Sequence, residues 1–167
     1  AEGIPIIGIP KTVDNDLPGT YFTPGFPSAA YYLATFAQEI KRDAAYALSR
    51  VYIIEAMGFK AGWLTCAGAL GGADLVLPPE WKISWQKTLE LISQRYQQNG
   101  NFAVVVISQE AHFDEDIKGI PDAQIGEAHG HSRQSFICLT MRDRIRKELG
   151  IDAKPLYPGN YVETGKP

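Results

Sequence analysis

Cysteine, methionine and histidine are scarce in this chain: two, two and three of 167 residues. So few cysteines argue against a disulfide-built scaffold, and no Cys lies near the histidines at a spacing that suits zinc. Cys66 and Cys138 each fall in an apolar helical pattern and are read as reduced core thiols, with a disulfide between them as the alternative. An excess of one charge is also missing. Sixteen Lys and Arg against nineteen Asp and Glu leave a net charge of −3, which gives no reason to expect a nucleic-acid or membrane partner. No apolar run nears the roughly 20 residues of a membrane-spanning helix. The opening residues do not read as a signal peptide, so a cytoplasmic protein is expected.

What is present is ordinary globular composition, 45% hydrophobic and 21% charged. A chain of this size can form one domain or parts of two and bury about 68–70% of its unfolded surface. Ile4-Pro5-Ile6-Ile7 predicts a buried strand at the start. Apolar residues at near-helical spacing predict a helix over 26–49, with Gly25 and Pro27 suited to its beginning. A β-branched run predicts a strand over 50–56, followed by a helix over 60–70 that Gly71-Gly72 stops. Further on come a strand over 74–78, an amphipathic helix over 84–98 and a Val/Ile strand over 102–108 of the kind buried in parallel sheets. A polar loop over 110–131 is long enough to suggest function. A helix over 132–149 and a strand over 153–157 complete the pattern. Trp63, Trp81, Trp85 and Tyr96 are read as core and helix packing. Strands alternating with helices predict an α/β fold, a mostly parallel sheet with helices on both faces in three layers.

One loop carries the clearest chemistry. Gly8-Ile9-Pro10-Lys11-Thr12-Val13-Asp14-Asn15-Asp16 follows the first apolar run and holds a Lys, a Thr and two carboxylates. A carboxylate can take a proton from an attacking hydroxyl, and an ammonium can balance charge on a moving phosphoryl group. The same residues, before Pro18-Gly19, also make an ordinary polar turn. His129-Gly130-His131, with Asp114, Glu115 and Asp116 nearby, is a second polar group; a solvated loop is preferred there over a metal site.

The string from Gly8 to Asp16, continued by Gly19-Thr20 and Thr23-Pro24-Gly25-Phe26, resembles the catalytic segment of the phosphofructokinase family. The resemblance implies phosphoryl transfer from pyrophosphate or ATP to the 1-hydroxyl of fructose 6-phosphate, with Mg2+, by a homo-oligomer. Asp14 then matches the general base and Asp16 a second carboxylate that helps place the magnesium. Thr12 matches a hydroxyl on the transferred phosphoryl. Lys11 matches the residue that accompanies pyrophosphate as donor, although some ATP-using members keep it. Arg50 matches an arginine that reaches a neighbouring subunit's sugar phosphate. Glu55-Ala56-Met57-Gly58-Phe59-Lys60 resembles the family's Met-Gly-Arg substrate loop; Phe59 stands in the Arg place, and Lys60 is expected to point elsewhere. Gln109 falls where the family has a sugar-binding Glu, with Glu110 one residue late. Lys154, Asn160 and Glu163 replace an Arg, a His and a second Arg of the 6-phosphate site. These departures leave two alternatives beside the family reaction: a different acceptor, or a non-catalytic regulatory or structural subunit. By the same resemblance, residues 1–25 belong to a phosphoryl-donor lobe and 26–167 to a sugar-phosphate lobe, and the chain looks like the middle of a longer protein.

Overall fold

The computed structural model describes residues 3–46, 49–114 and 136–162. A 21-residue helix α1 (Phe26–Tyr46) leads into strand β1 (Arg50–Ala56), and helix α2 (Trp63–Leu70) into the short strand β2 (Leu75–Leu77). A two-residue strand β3 (Lys82–Ile83) precedes helix α3 (Trp85–Gln98) and strand β4 (Phe102–Ser108). After β5 (His112–Phe113), helix α4 (Phe136–Arg144) runs into a π-helical turn (Ile145–Leu149), and β6 (Ala153–Leu156) follows.

Strands β2, β4, β1 and β6 lie side by side in that order, and every neighbouring pair is parallel. Parallel strands need crossovers, and these put helices on both faces of the sheet. That burial explains why β1 and β4 read as continuous apolar runs. Along β1, Val51 and Ile53 enter one buried cluster with Trp85, Leu89 and Ile92 of α3 and Cys138 and Met141 of α4. Tyr52, Ile54 and Ala56 enter another with Ala29, Leu33 and Ala37 of α1 and Leu64 of α2. The result is the three-layer α/β fold expected.

Small side chains decide how closely the layers approach. A Cβ at Gly68 would lie 2.6 Å from Val106 Cγ2, so glycine lets α2 settle directly onto β4. Ser84 caps α3 by accepting the Lys87 N–H, and Asp114 Oδ1 accepts the Trp85 N–H at 3.1 Å. Trp85 stacks on Phe113 with centroids 3.6 Å apart, holding the β3–β5 pair beside the start of α3.

Several expectations are corrected. The run Ile4–Ile7 is not a buried strand: Ile6 and Ile7 are 84% and 90% exposed, and no described strand pairs with it. An apolar segment gains strand structure only from a ladder partner and a covered face, and neither is present here. Cys66 is exposed rather than in the core, while Cys138 is buried; both are free thiols. Trp63 and Trp81 are exposed too. Trp63 and Cys66 share the outward face of α2, whose apolar composition on both sides hid which face packs. The helix expected from 60 starts at Trp63 because a turn closes first, with the Ala61 N–H donating to Gly58 O at 2.8 Å. Most of the polar loop expected over 110–131, the His129-Gly130-His131 group, and Glu163 lie outside the described residues.

Candidate functional site

The order β2-β4-β1-β6 contains a reversal. From β1 the chain crosses by α2 on one face to β2, whereas from β4 it crosses by α4 on the other face to β6. Connections that leave adjacent strands toward opposite faces open a crevice at the carboxyl ends, where open α/β sheets place their ligands. Met57 and Gly58 leave β1 there, and Gln109 and Glu110 leave β4. The Gln109 N–H donates to Ala56 O at 3.0 Å and pins the two exits together. Glu110 is held by its N–H donating to Ser108 Oγ at 3.1 Å.

The β1 exit is backbone-determined. Gly58 has φ 132°, and a Cβ there would lie 2.5 Å from Ala61 O, so only glycine makes this turn. Phe59 follows with φ 48° and stays 46% exposed. The Lys60 Nζ lies over the Phe59 ring, 5.7 Å from its centroid. The start of α2 is occupied from within the chain, since the Gly62 N–H donates to Glu80 Oε1 at 2.6 Å.

The loop of Lys11, Thr12, Asp14 and Asp16 reaches the same edge because α1 runs back along the sheet before β1. Thr12 bridges Gly25, the residue before α1. Thr23 Oγ1 donates to Thr12 O at 2.6 Å, and Asn15 holds both sides, its Oδ1 accepting the Thr23 N–H and its Nδ2 donating to Tyr21 O. Val13 is buried in the cluster that includes Phe26, Ala56 and Leu64, with Met57 packed against it. The buried Val13 leaves Thr12 and Asp14 half-buried on either side, while Lys11 and Asp16 are exposed. Thr12 Oγ1 accepts the Asp14 N–H at 3.1 Å, so its own hydrogen remains available to donate. No acidic residue stands in the first turn of α1, whose positive end faces this loop. Asn15 and Thr23 escaped the sequence reading as structural ties. Their signal was an Asx residue inside a polar turn.

Glu55 was also missed, although it is the one acid inside an apolar strand. It lies on the α4 side of β1, with Oε2 buried and without a hydrogen-bond partner among the described residues. Burial pushes its carboxyl up to about 7, while the Cys138 thiol, donating to it, opposes that rise. Burial, with the Cys138 and Glu55 charges, likewise pushes Tyr157 up.

Arg50 and Lys154 stand apart from this edge. Arg50 opens β1, and Lys154 pairs with Tyr52 near the start of β6. Arg50 Nη2 lies 3.2 Å from Asp152 Oδ2, and its Nε is buried without a partner among the described residues. Asn160 lies in a 3-10 turn (Gly159–Val162) after β6. Among the described residues no three metal-ligating acids, histidines or cysteines converge. No described helix is long and apolar enough to cross a membrane.

Comparison with known proteins agrees across the whole chain. Residues 1–167 match the family model described as phosphofructokinase. The chain is 31% identical over 167 residues to an ATP-dependent 6-phosphofructokinase of Corynebacterium efficiens, covering 99% of this chain and 48% of that protein. It is 32% identical over 166 residues to a pyrophosphate–fructose 6-phosphate 1-phosphotransferase of Dictyoglomus thermophilum, with the same coverage. A solved pyrophosphate-dependent phosphofructokinase from Marinobacter aquaeolei superposes with a TM-score of 0.76 at 29% identity, over 92% of this chain and 36% of the other. The chain therefore spans about half the length of the curated relatives it matches.

Proposed function

The chain belongs to the phosphofructokinase family, and on that premise we propose that the full-length protein transfers a phosphoryl group from pyrophosphate or ATP to the 1-hydroxyl of fructose 6-phosphate. The observation that carries this reading is the Thr12–Asp14 loop, anchored by Val13 beside the end of β1 at the sheet's switch point. In this reading residues 1–25 serve the donor side and 26–167 the sugar phosphate.

Asp14 takes the proton from the acceptor hydroxyl, a role worth about 10²–10⁴ in rate. Thr12 donates its hydroxyl hydrogen to an oxygen of the moving phosphoryl. Lys11 holds the anionic leaving group as a point charge. Asp16 would help hold a Mg2+ bound with the phosphates, and the ion would supply charge neutralisation during transfer. Met57, Gly58, Gln109 and Glu110 shape the acceptor side of the crevice. Arg50 and Lys154 are assigned to a sugar phosphate in a neighbouring subunit, because β1 separates Arg50 from the crevice by about 20 Å, whereas Asn160, in the turn beyond the carboxyl end of β6, is assigned to the sugar phosphate on the crevice side.

The test is phosphoryl transfer by the full-length protein with magnesium and fructose 6-phosphate, pyrophosphate and ATP being tried side by side. Fructose bisphosphate formed with at least one donor is expected. No product with either overturns the reading. A different phosphorylated acceptor is the second reading, favoured by the uncharged Phe59 at the β1 exit.

A further inference from the structure

Glu55 is the one acid in β1, and it sits where three segments of the crevice meet. Its register partner on β4 is Ile107, and the residue after it, Ala56, takes the Gln109 N–H that ties the β1 and β4 exits together. On the other side Ile54 pairs with Leu156, so Tyr157 leaves the end of β6 beside Glu55. From Tyr157 the chain crosses the carboxyl end of the sheet, because Val162 is buried in the cluster on the α1 face.

The surroundings serve this carboxyl incompletely. β4 brings the apolar Ile107. From α4 comes the fully buried Cys138 thiol, which donates to Glu55 and is kept protonated by burial and by the Glu55 charge. Oε2 is buried and has no hydrogen-bond partner among the described residues. The β6 exit brings the Tyr157 phenol, which feels the charges of Cys138, Glu55 and the Arg142 guanidinium of α4 and is 43% exposed. A neutral carboxyl tolerates such a setting, whereas a carboxylate taken out of water needs further donors. Burial lifts the Glu55 carboxyl to about 7, which puts its change of charge in the neutral range. The Tyr157 hydroxyl is the donor that an inward movement of the β6 exit would supply.

We propose that Glu55 is a positioning residue through which one proton sets the shape of the crevice. With the proton on, β1, α4 and the β6 exit pack as described, and the crevice receives the sugar phosphate. With the proton off, the Tyr157 hydroxyl turns in to donate to Oε2, and the turn of Gly159–Val162 is drawn from its place. Sugar phosphate and proton then favour the same arrangement, and each tightens the binding of the other. This inference rests on the proposed reaction only for the ligand used as probe.

The test uses the full-length protein and its Glu55→Gln and Tyr157→Phe variants at about pH 6 and pH 8. Glu55→Gln copies the neutral carboxyl. Its profile also carries the titration of the sugar's own phosphate, so the ratio of the parent to this variant isolates Glu55. Calorimetric affinity of the parent for fructose 6-phosphate, without donor, is expected to match Glu55→Gln at pH 6 and to fall about fivefold below it at pH 8. Tyr157→Phe removes the donor to the carboxylate, keeps the proton on Glu55 to higher pH and is expected to stay close to Glu55→Gln at both. Hydrogen exchange of the 157–162 amides without sugar is measured against Glu55→Gln at the same pH. It is expected to be faster in the parent at pH 8 only. Equal affinity ratios and equal exchange at the two pH values overturn the proposal, as does a Tyr157→Phe protein that keeps the parent's pH dependence. Should Glu55→Gln fail to fold, the comparison of the parent with Tyr157→Phe decides by itself. If the parent binds no fructose 6-phosphate, the proposed reaction falls and the exchange measurement alone decides on Glu55.

Discussion

Asp14 and Glu55 are two acids placed for opposite behaviour. Asp14 lies half-buried on a loop beside the positive end of α1. Asp14→Ala is expected to lower turnover by 10² or more while the melting temperature stays within about 2 °C of the parent, because Asn15 and Thr23 tie the loop across its two sides. Wild-type turnover in that variant contradicts the base assignment. Glu55 is held neutral by burial, its carboxyl lifted from 4.5 to about 7. Between about pH 4.5 and 7 the unfolded chain releases this proton while the folded chain keeps it. Stability therefore falls as pH rises through that window, by about 3 kcal/mol in all, and stays lower above it. Glu55→Gln is expected to melt higher than the parent at pH 8 and alongside it at pH 4.5. Melting curves across that range decide the point, and parallel pH profiles for the two proteins refute it. The sequence displayed Asp14 through its neighbours. It displayed Glu55 only as a charge in an apolar strand, because what isolates that carboxyl is α4, about eighty residues further along.

At the scale of elements, β1 and β4 were legible to the residue. Burial on both faces requires an unbroken apolar run, and such a run has visible ends. The β3–β5 pair was not, since two-residue strands have no period and this one follows from the Trp85–Phe113 stack. Ile4–Ile7 misled for the converse reason: apolar content announces a strand, but pairing makes one. The joint between α1 and the sheet was hidden as well. Asp74, 6% exposed, takes the Lys41 ammonium at 2.7 Å and the Val104 N–H at 2.8 Å. Asp74→Ala would leave the Val104 N–H without its acceptor and the Lys41 ammonium held by Gly72 O alone. It is expected to cost about 3 kcal/mol, seen as an earlier urea midpoint, and an unchanged midpoint would show the joint to be dispensable.

Across the whole molecule, the sheet has two ends with different assignments. The carboxyl end gathers Thr12, Asp14, Met57, Gly58, Gln109 and Glu110, all of which the sequence singled out in separate segments. Their convergence was not readable from any one segment, because it depends on the reversal in strand order. Arg50 and Lys154 lie toward the opposite end, on adjacent strands. The length of β1 between them and Asp14 divides the proposed labour between molecules. Two inactive proteins, one Asp14→Ala and the other Arg50→Ala, are therefore expected to rescue each other when their subunits are dissociated and reassembled together. A mixed pair holds one site with both lesions and one with none, so up to about half of the mixed pairs' normal activity should return. A mixture as inactive as its components would mean that each chain supplies its own site entire.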